Sequence, residues 1–264
     1  MSRIAPAAAL LLTLPSPVSS LDLSDYRIVD LSHPYNAETI YWPTSPSRFE
    51  LMELAYGETP GGWFYSAYAL CTPEHGGTHF DAPVHFSANG APVHEVPLNN
   101  IIAPAITIDV SAQAAEDSNY RLTVEDVLGF EALHGEIEAG MIVLLRTGWS
   151  ERWPDTEAYM GDDTPGDASR LSFPGYGAAA ARLLVEQRDV SVLGIDTASI
   201  DYGPAQDFPV HVLAAASNVG ALENLTGLDQ LPPAGFTVFA LPIKIEGGSG
   251  APMRAVALVP NESQ

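Results

Sequence analysis

Among 264 residues the chain has one cysteine, Cys71, and one lysine, Lys244. A lone cysteine excludes an internal disulfide and any zinc site built on cysteine ligands. It follows the apolar-leaning run Trp63 to Leu70 and reads as a buried strand thiol. Positive charge is scarce as well: the net charge is −22. So acidic a surface repels phosphate backbones and anionic lipid, which excludes nucleic acid and membrane as partners. No glycine-rich fingerprint follows a strand, so a bound dinucleotide or nucleotide phosphate is not indicated. No apolar stretch, the N-terminal one included, is long enough to span a bilayer permanently.

What is present suits a folded globular chain. With 46% hydrophobic and 17% charged residues, the chain can bury a sizeable core. Arg3 precedes an apolar stretch from Ile4 to Leu14, then Pro15-Ser16-Pro17 and the small residues Val18-Ser19-Ser20. That pattern predicts an export signal over residues 1–20, with a periplasmic mature chain; an unstructured cytoplasmic leader is the alternative. Strands are predicted at Tyr26 to Leu31, Trp63 to Cys71, Ala105 to Val110, Met141 to Arg146, Val190 to Ile195, Phe236 to Leu241 and Arg254 to Val259. Thr123 can cap a helix running through Phe130, with Asp126 three positions on. Gly177 to Gln187 reads as a second helix, and the acidic, turn-rich stretch from Trp153 to Phe173 as a surface excursion. Interleaved strands and helices with no clean linker predict a single mixed α/β domain over residues 21–264.

The densest chemistry lies in one run. His75, His79, Asp81 and His85 fall within eleven residues, with Gly76-Gly77 interposed. A helix would turn Asp81 about 200° away from His79, and Pro83 would disrupt it. A straight strand spaces His75 and His79 about 13 Å apart. Atoms sharing one ion at roughly 2.1 Å lie no more than about 4.2 Å from each other. A bend at Gly76-Gly77 resolves this by folding His75 back over His79. Asp81 then shares the strand face with His79. Two imidazoles and a carboxylate suit zinc, manganese or iron and leave positions for water and substrate. His85, beyond Pro83, is placed for proton transfer.

The pattern His75-x-Gly77-Thr78-His79-x-Asp81-x-Pro83-x-His85 resembles the signature of the cyclase-like metal hydrolase family, which includes kynurenine formamidases and isatin hydrolases. The resemblance extends from Asp30-Leu31-Ser32-His33-Pro34 through Arg146-Thr147-Gly148-Trp149 and Phe173-Pro174-Gly175. It continues in Gly194-Ile195-Asp196-Thr197-x-Ser199-Ile200-Asp201, Asp207-Phe208-Pro209-Val210-His211, Glu223-Asn224-Leu225 and Leu241-Pro242-Ile243-Lys244. It implies a swivelling β/β/α fold. It also implies a divalent metal, Mn2+ or Zn2+ as one or two ions, on His75, His79 and Asp81, with His85 in acid–base chemistry. His211 and Glu223 complete the implied site, as ligands of a second ion or, for His211, nearer the substrate as a catalytic residue that shares the proton transfer with His85. Residue spacing alone does not pair those two.

The implied reaction is attack of metal-activated water on the carbonyl of a small aromatic amide. Isatin, opened to isatinate, is the first expectation, because the stretch from Trp153 to Phe173 resembles longer members of the family. Removal of formate from N-formylkynurenine is the alternative, and a non-catalytic metal-dependent binding protein is the reading from another class. Trp42, Trp63, Phe64 and Phe80 are candidate walls for a flat substrate. His33 reads as a turn residue before Pro34. The resemblance further implies a homodimer or homotetramer with pockets near subunit contacts.

Overall fold

The computed structural model describes residues 21–261, so the leader expected over 1–20 lies outside the described residues. Among the described residues twelve strands follow in order: β1 (Tyr26–Asp30), β2 (Glu50–Glu58), β3 (Phe64–Cys71), β4 (His79–Asp81), β5 (Ile102–Asp109), β6 (Arg121–Leu122), β7 (Ile142–Arg146), β8 (Gly175–Tyr176), β9 (Val192–Ile195), β10 (Gly220–Glu223), β11 (Phe236–Pro242) and β12 (Gly250–Pro260). The main sheet runs β1-β12-β11-β5-β7-β9-β10-β4, and β4 also pairs with β12. That last pairing closes seven strands into a barrel and leaves β1 attached outside the ring. Closure removes the exposed edges an open sheet would leave.

Four neighbouring strands, β5, β7, β9 and β10, are parallel. Parallel neighbours need long crossovers, and helices supply them. Val124–His134 links β5 to β7; Ala178–Arg182, continued by a π-helical turn over Leu183–Gln187, links β7 to β9; Pro209–Ala216 links β9 to β10. The Thr123 cap is present in full, its hydroxyl accepting the Asp126 N–H at 3.1 Å while Asp126 accepts the Thr123 N–H at 2.8 Å. The helix runs one turn past Phe130 and stops at Gly135, whose φ of +98° suits glycine.

Strand alternation sorts two cores. Inward residues such as Phe80, Ala105, Leu144, Leu222, Val238 and Ala257 fill the barrel. Outward residues such as Ile106, Val143, Leu145, Leu193 and Ile195 pack beneath the crossover helices. The run from Trp153 to Phe173 departs from the surface excursion predicted for it. Its acidic residues are largely exposed, but Tyr159, Met160, Leu171 and Phe173 form a third core with Ile40 and Trp149. Charge content masked four buried apolar positions there.

The β2–β3 ribbon is a two-stranded sheet of its own and, among the described residues, pairs with no other strand. Leu51, Leu54, Tyr56, Trp63, Tyr65 and Leu70 are all more than half exposed. Cys71 is exposed too, not buried as its apolar neighbourhood predicts, because no layer covers this ribbon. Among the described residues, no helix is long and apolar enough to cross a membrane.

Phe80, predicted as a pocket wall, is instead fully buried inside the barrel. Adjacent strand residues face opposite ways, so His79 and Asp81 point outward and Phe80 inward. Phe80→Ala is therefore expected to destabilise the fold by about 3–5 kcal/mol. The measurement is urea unfolding; a near-wild-type midpoint would contradict the placement.

Candidate metal centre

The motif folds as the glycine argument requires. Gly76 and Gly77 take φ of +144° and +56°, conformations that disfavour other residues. They bring the His75 ring to 5.4 Å from the His79 ring. Side chains would not fit there either: a Cβ on Gly76 would lie 2.1 Å from the Tyr41 ring, and one on Gly77 2.6 Å from Tyr35. The Tyr35 hydroxyl lies 2.6 Å from the Gly76 carbonyl and 2.8 Å from that of Thr78, pinning the bend.

Asp81 is the hub. Its Oδ1 lies 2.6 Å from His75 Nδ1 and 3.0 Å from His79 Nε2. Its Oδ2 lies 3.2 Å from His211 Nε2. Glu223 pairs across the β4–β10 ladder with His79, which puts its Oε2 3.5 Å from His79 Nε2 and its Oε1 3.1 Å from His211 Nε2. Two donor triads result, His75-His79-Asp81 and Asp81-His211-Glu223, each with ligand atoms within 4.8 Å of one another. All but His75 are buried. Two imidazoles and a carboxylate form a donor set that fits a divalent ion in an open, catalytic kind of site.

Electrostatics follow from this crowding. Burial disfavours charge on His79, but the negative charges of Asp81 and Glu223 outweigh it and push the imidazole up to about 9. Burial likewise opposes charge on Asp81, yet the adjoining His75, His79 and His211 hold it well below the usual carboxylate range. Burial also opposes charge on His211, and hydrogen bonds to Asp201, Asp81 and Glu223 push it well above its ordinary value. A dehydrated carboxylate cluster of this kind favours positive charge in its midst.

His85 behaves differently. It ends a one-turn helix over Pro83–His85 and stacks on His75 at 3.8 Å. Burial lowers its pKa to about 4, leaving the ring neutral. His85 therefore flanks the donor cluster without a carboxylate of its own at hydrogen-bonding distance.

A cleft of about 260 Å³ opens over the cluster. Of the predicted walls it includes Trp42 but neither Trp63 nor Phe64. Those two are about 60% exposed on the β2–β3 ribbon, because that ribbon leaves the body before the motif begins. The other walls are Ile40, Tyr41, Phe86 and Phe208. The Phe86 ring lies 4.5 Å from that of His211. Neither Phe86 nor Phe208 is predicted as a wall, although Phe86 follows His85 directly and Phe208 lies within the quoted run Asp207 to His211. Asn224 is a further addition: its amide donates to the Gly77 carbonyl at 2.9 Å, and its side-chain oxygen lies 3.0 Å from the Tyr159 hydroxyl. His33 is outside the cleft and stacks on Trp153 at 4.2 Å.

The decisive comparison is with protein families: the model of the Cyclase family ("Putative cyclase") matches residues 29–202. The chain belongs to this family. An isatin hydrolase of Roseibium aggregatum is 36% identical over 75% of this chain and 77% of its own length. A kynurenine formamidase of Sphingopyxis alaskensis is 31% identical over 87% of this chain and 97% of its own. Among solved structures, an isatin hydrolase bound to the product analogue thioisatinate superposes with a TM-score of 0.83 at 30% identity, covering 90% of this chain and 94% of that one. The swivelling mixed α/β fold implied by the motif is the fold found.

One glycine gives this geometry a direct test. A Cβ on Gly250 would lie 2.6 Å from His75 Cε1 and 2.5 Å from the Phe80 carbonyl. Gly250→Ala is expected to displace His75 and weaken zinc binding by about tenfold or more. Chelator competition measures this, and unchanged affinity would remove His75 from the ligand set.

Proposed function

We propose that this protein is a metal-dependent amidohydrolase that opens a small cyclic aromatic amide, with isatin as substrate and isatinate as product. The observation that carries this reading is the juxtaposition at the cleft floor. A buried histidine–carboxylate cluster adjoins a neutral imidazole, beneath walls made by Trp42, Phe86 and Phe208. Such a site admits a flat ring and brings its polar edge to the cluster. The similarity to isatin hydrolases supports the choice of substrate.

His75, His79 and Asp81 would hold one divalent ion, manganese or zinc, and His211, which contacts both Asp81 and Glu223, would act beside them on the substrate. When bound, such an ion supplies Lewis acidity to a water and to the amide carbonyl. His85 takes a proton from the attacking water and delivers it to the leaving nitrogen. Its depressed pKa keeps it unprotonated, and so able to accept, at neutral pH. Phe86 and Phe208 limit water around His211, which strengthens the polar interactions beneath them. Arylformamidase activity on N-formylkynurenine is the second reading, favoured by the second donor triad around Asp81 and by the similarity to a kynurenine formamidase.

The β2–β3 ribbon supports a homo-oligomer. A ribbon with this many large apolar side chains in water marks an interaction surface, and a second copy of this chain is the proposed partner. Light scattering is expected to give a dimer or larger assembly. The double substitution Leu54→Asp, Tyr56→Asp is expected to give monomers; an assembly unaffected by it would rule the ribbon out.

Turnover of isatin and N-formylkynurenine by the metal-loaded protein, measured in parallel, tests the reaction. Ring opening of isatin with little deformylation is expected. His85→Ala is expected to lower kcat by about 10²–10⁴-fold, while metal content stays at the wild-type level. Hydrolysis of neither compound would reject both specific substrates, and full activity in the variant would reject the role of His85.

A further inference from the structure

Each of the three histidines facing Asp81 has its other ring nitrogen occupied. His79 Nδ1 is 2.9 Å from the Gly77 carbonyl, and His75 Nε2 is 2.8 Å from the Ser249 hydroxyl. His211 Nδ1 is 2.8 Å from a carboxylate, Asp201 Oδ2. We propose that Asp201 is a positioning residue: it holds the proton of His211 on Nδ1 and so presents Nε2, as the reactive nitrogen, to the face shared with Asp81 and Glu223. The proposal rests on the reading that His211 acts in this site.

The carboxylate is well placed to impose a ring orientation. Asp201 is 1% exposed, and both its oxygens are engaged. Oδ1 accepts the Val210 N–H at 2.9 Å, and Oδ2 accepts the His211 N–H at 3.1 Å as well as the ring Nδ1–H. Pro209, which opens the helix, has no N–H to offer, so the carboxylate meets the first available donors of that helix. Two backbone bonds thus anchor the same group that grips the imidazole, and the ring cannot pull it aside. An acceptor with no proton to give leaves Nδ1 as the only donor of the pair. Such outer partners set the tautomer and direction of the inner imidazole.

Asp201 is itself braced by a short turn. Its N–H donates to Ser199 Oγ at 3.1 Å, and Thr197 Oγ1 donates to the Ser199 carbonyl at 2.9 Å. Within that turn the Ile200 N–H donates to Glu223 Oε1 at 2.9 Å. One segment after β9 therefore orients His211 from the next helix and Glu223 from the next strand. Neither the main histidine motif nor the metal donors of β4 take part in it.

Bonds to the helix N–H groups alone would account for the backbone contacts but not for the imidazole contact, and Asp201→Asn separates the two. Its amide oxygen can keep the Val210 N–H bond, while its amide nitrogen, a donor, cannot accept from His211 Nδ1. In zinc-loaded wild-type protein, 15N-labelled at histidine, a protonated Nδ1 and an unprotonated Nε2 are expected for His211. In the variant the Nδ1 proton signal should disappear. On the substrate that the wild type turns over, kcat should fall by about ten- to a hundredfold with KM within about twofold. Asp201→Ser removes both carboxylate oxygens and should show at least as large a loss; if it fails to fold, the same readouts on Asp201→Asn decide. An unchanged His211 signature with unchanged kcat would overturn the proposal. Should neither candidate substrate be turned over, the nuclear resonance result still decides the role of Asp201, separately from the reaction.

Discussion

The three residues of β4 carry a constraint on which the rest of the molecule depends. They pair with β10 on one side and β12 on the other, and those two ladders close the barrel. Parity does the rest: Phe80 must enter the barrel for His79 and Asp81 to leave it. Glycines on both neighbours make room for this crossing. A Cβ at Gly220 would lie 2.4 Å from the Phe80 ring, and one at Gly250 2.5 Å from its carbonyl. The strand that completes the core is thus the strand that presents the site, and core packing and site geometry are a single arrangement.

From that anchor the polar cluster is assembled by elements far apart in sequence. β10 contributes Glu223 opposite His79, and the helix after β9 contributes His211. Both lie towards the carboxyl ends of parallel strands, where open α/β sheets leave crevices for ligands. Burying Asp81, Glu223 and Asp201 together is costly unless each is paired. Here the compensation is distributed. Histidines face the carboxylates from one side, and backbone N–H groups of Ile200, Val210 and His211 face them from the other. A cation at the centre would complete the same balance.

The cleft above the cluster owes its shape to the run from Trp153 to Phe173. Phe173 meets the edge of Trp42, with ring centroids 6.3 Å apart, and Tyr159 reaches Asn224 beneath. A segment whose charged positions face water therefore braces the aromatic wall from behind. The ribbon β2–β3 is its opposite: apolar, yet outside every core of the single chain.

Local chemistry in the sequence was enough for much of this. The tight spacing of His75, His79 and Asp81 across two glycines determined a bend and a three-donor set, because parity and glycine freedom act over a few residues. The Thr123–Asp126 cap and seven strands were legible for the same reason. The short strands His79–Asp81 and Gly220–Glu223 leave too brief a pattern for periodicity to register, and they pair with each other across more than a hundred residues. Tertiary structure alone decided which face of β4 is the barrel interior, so Phe80 became core. It also decided that Trp63 and Phe64 extend away from the cleft while Phe86 and Phe208 line it. The meeting of His211, Glu223 and Asp201 around Asp81 depends on crossover connections and sheet order, which no local pattern of residues encodes.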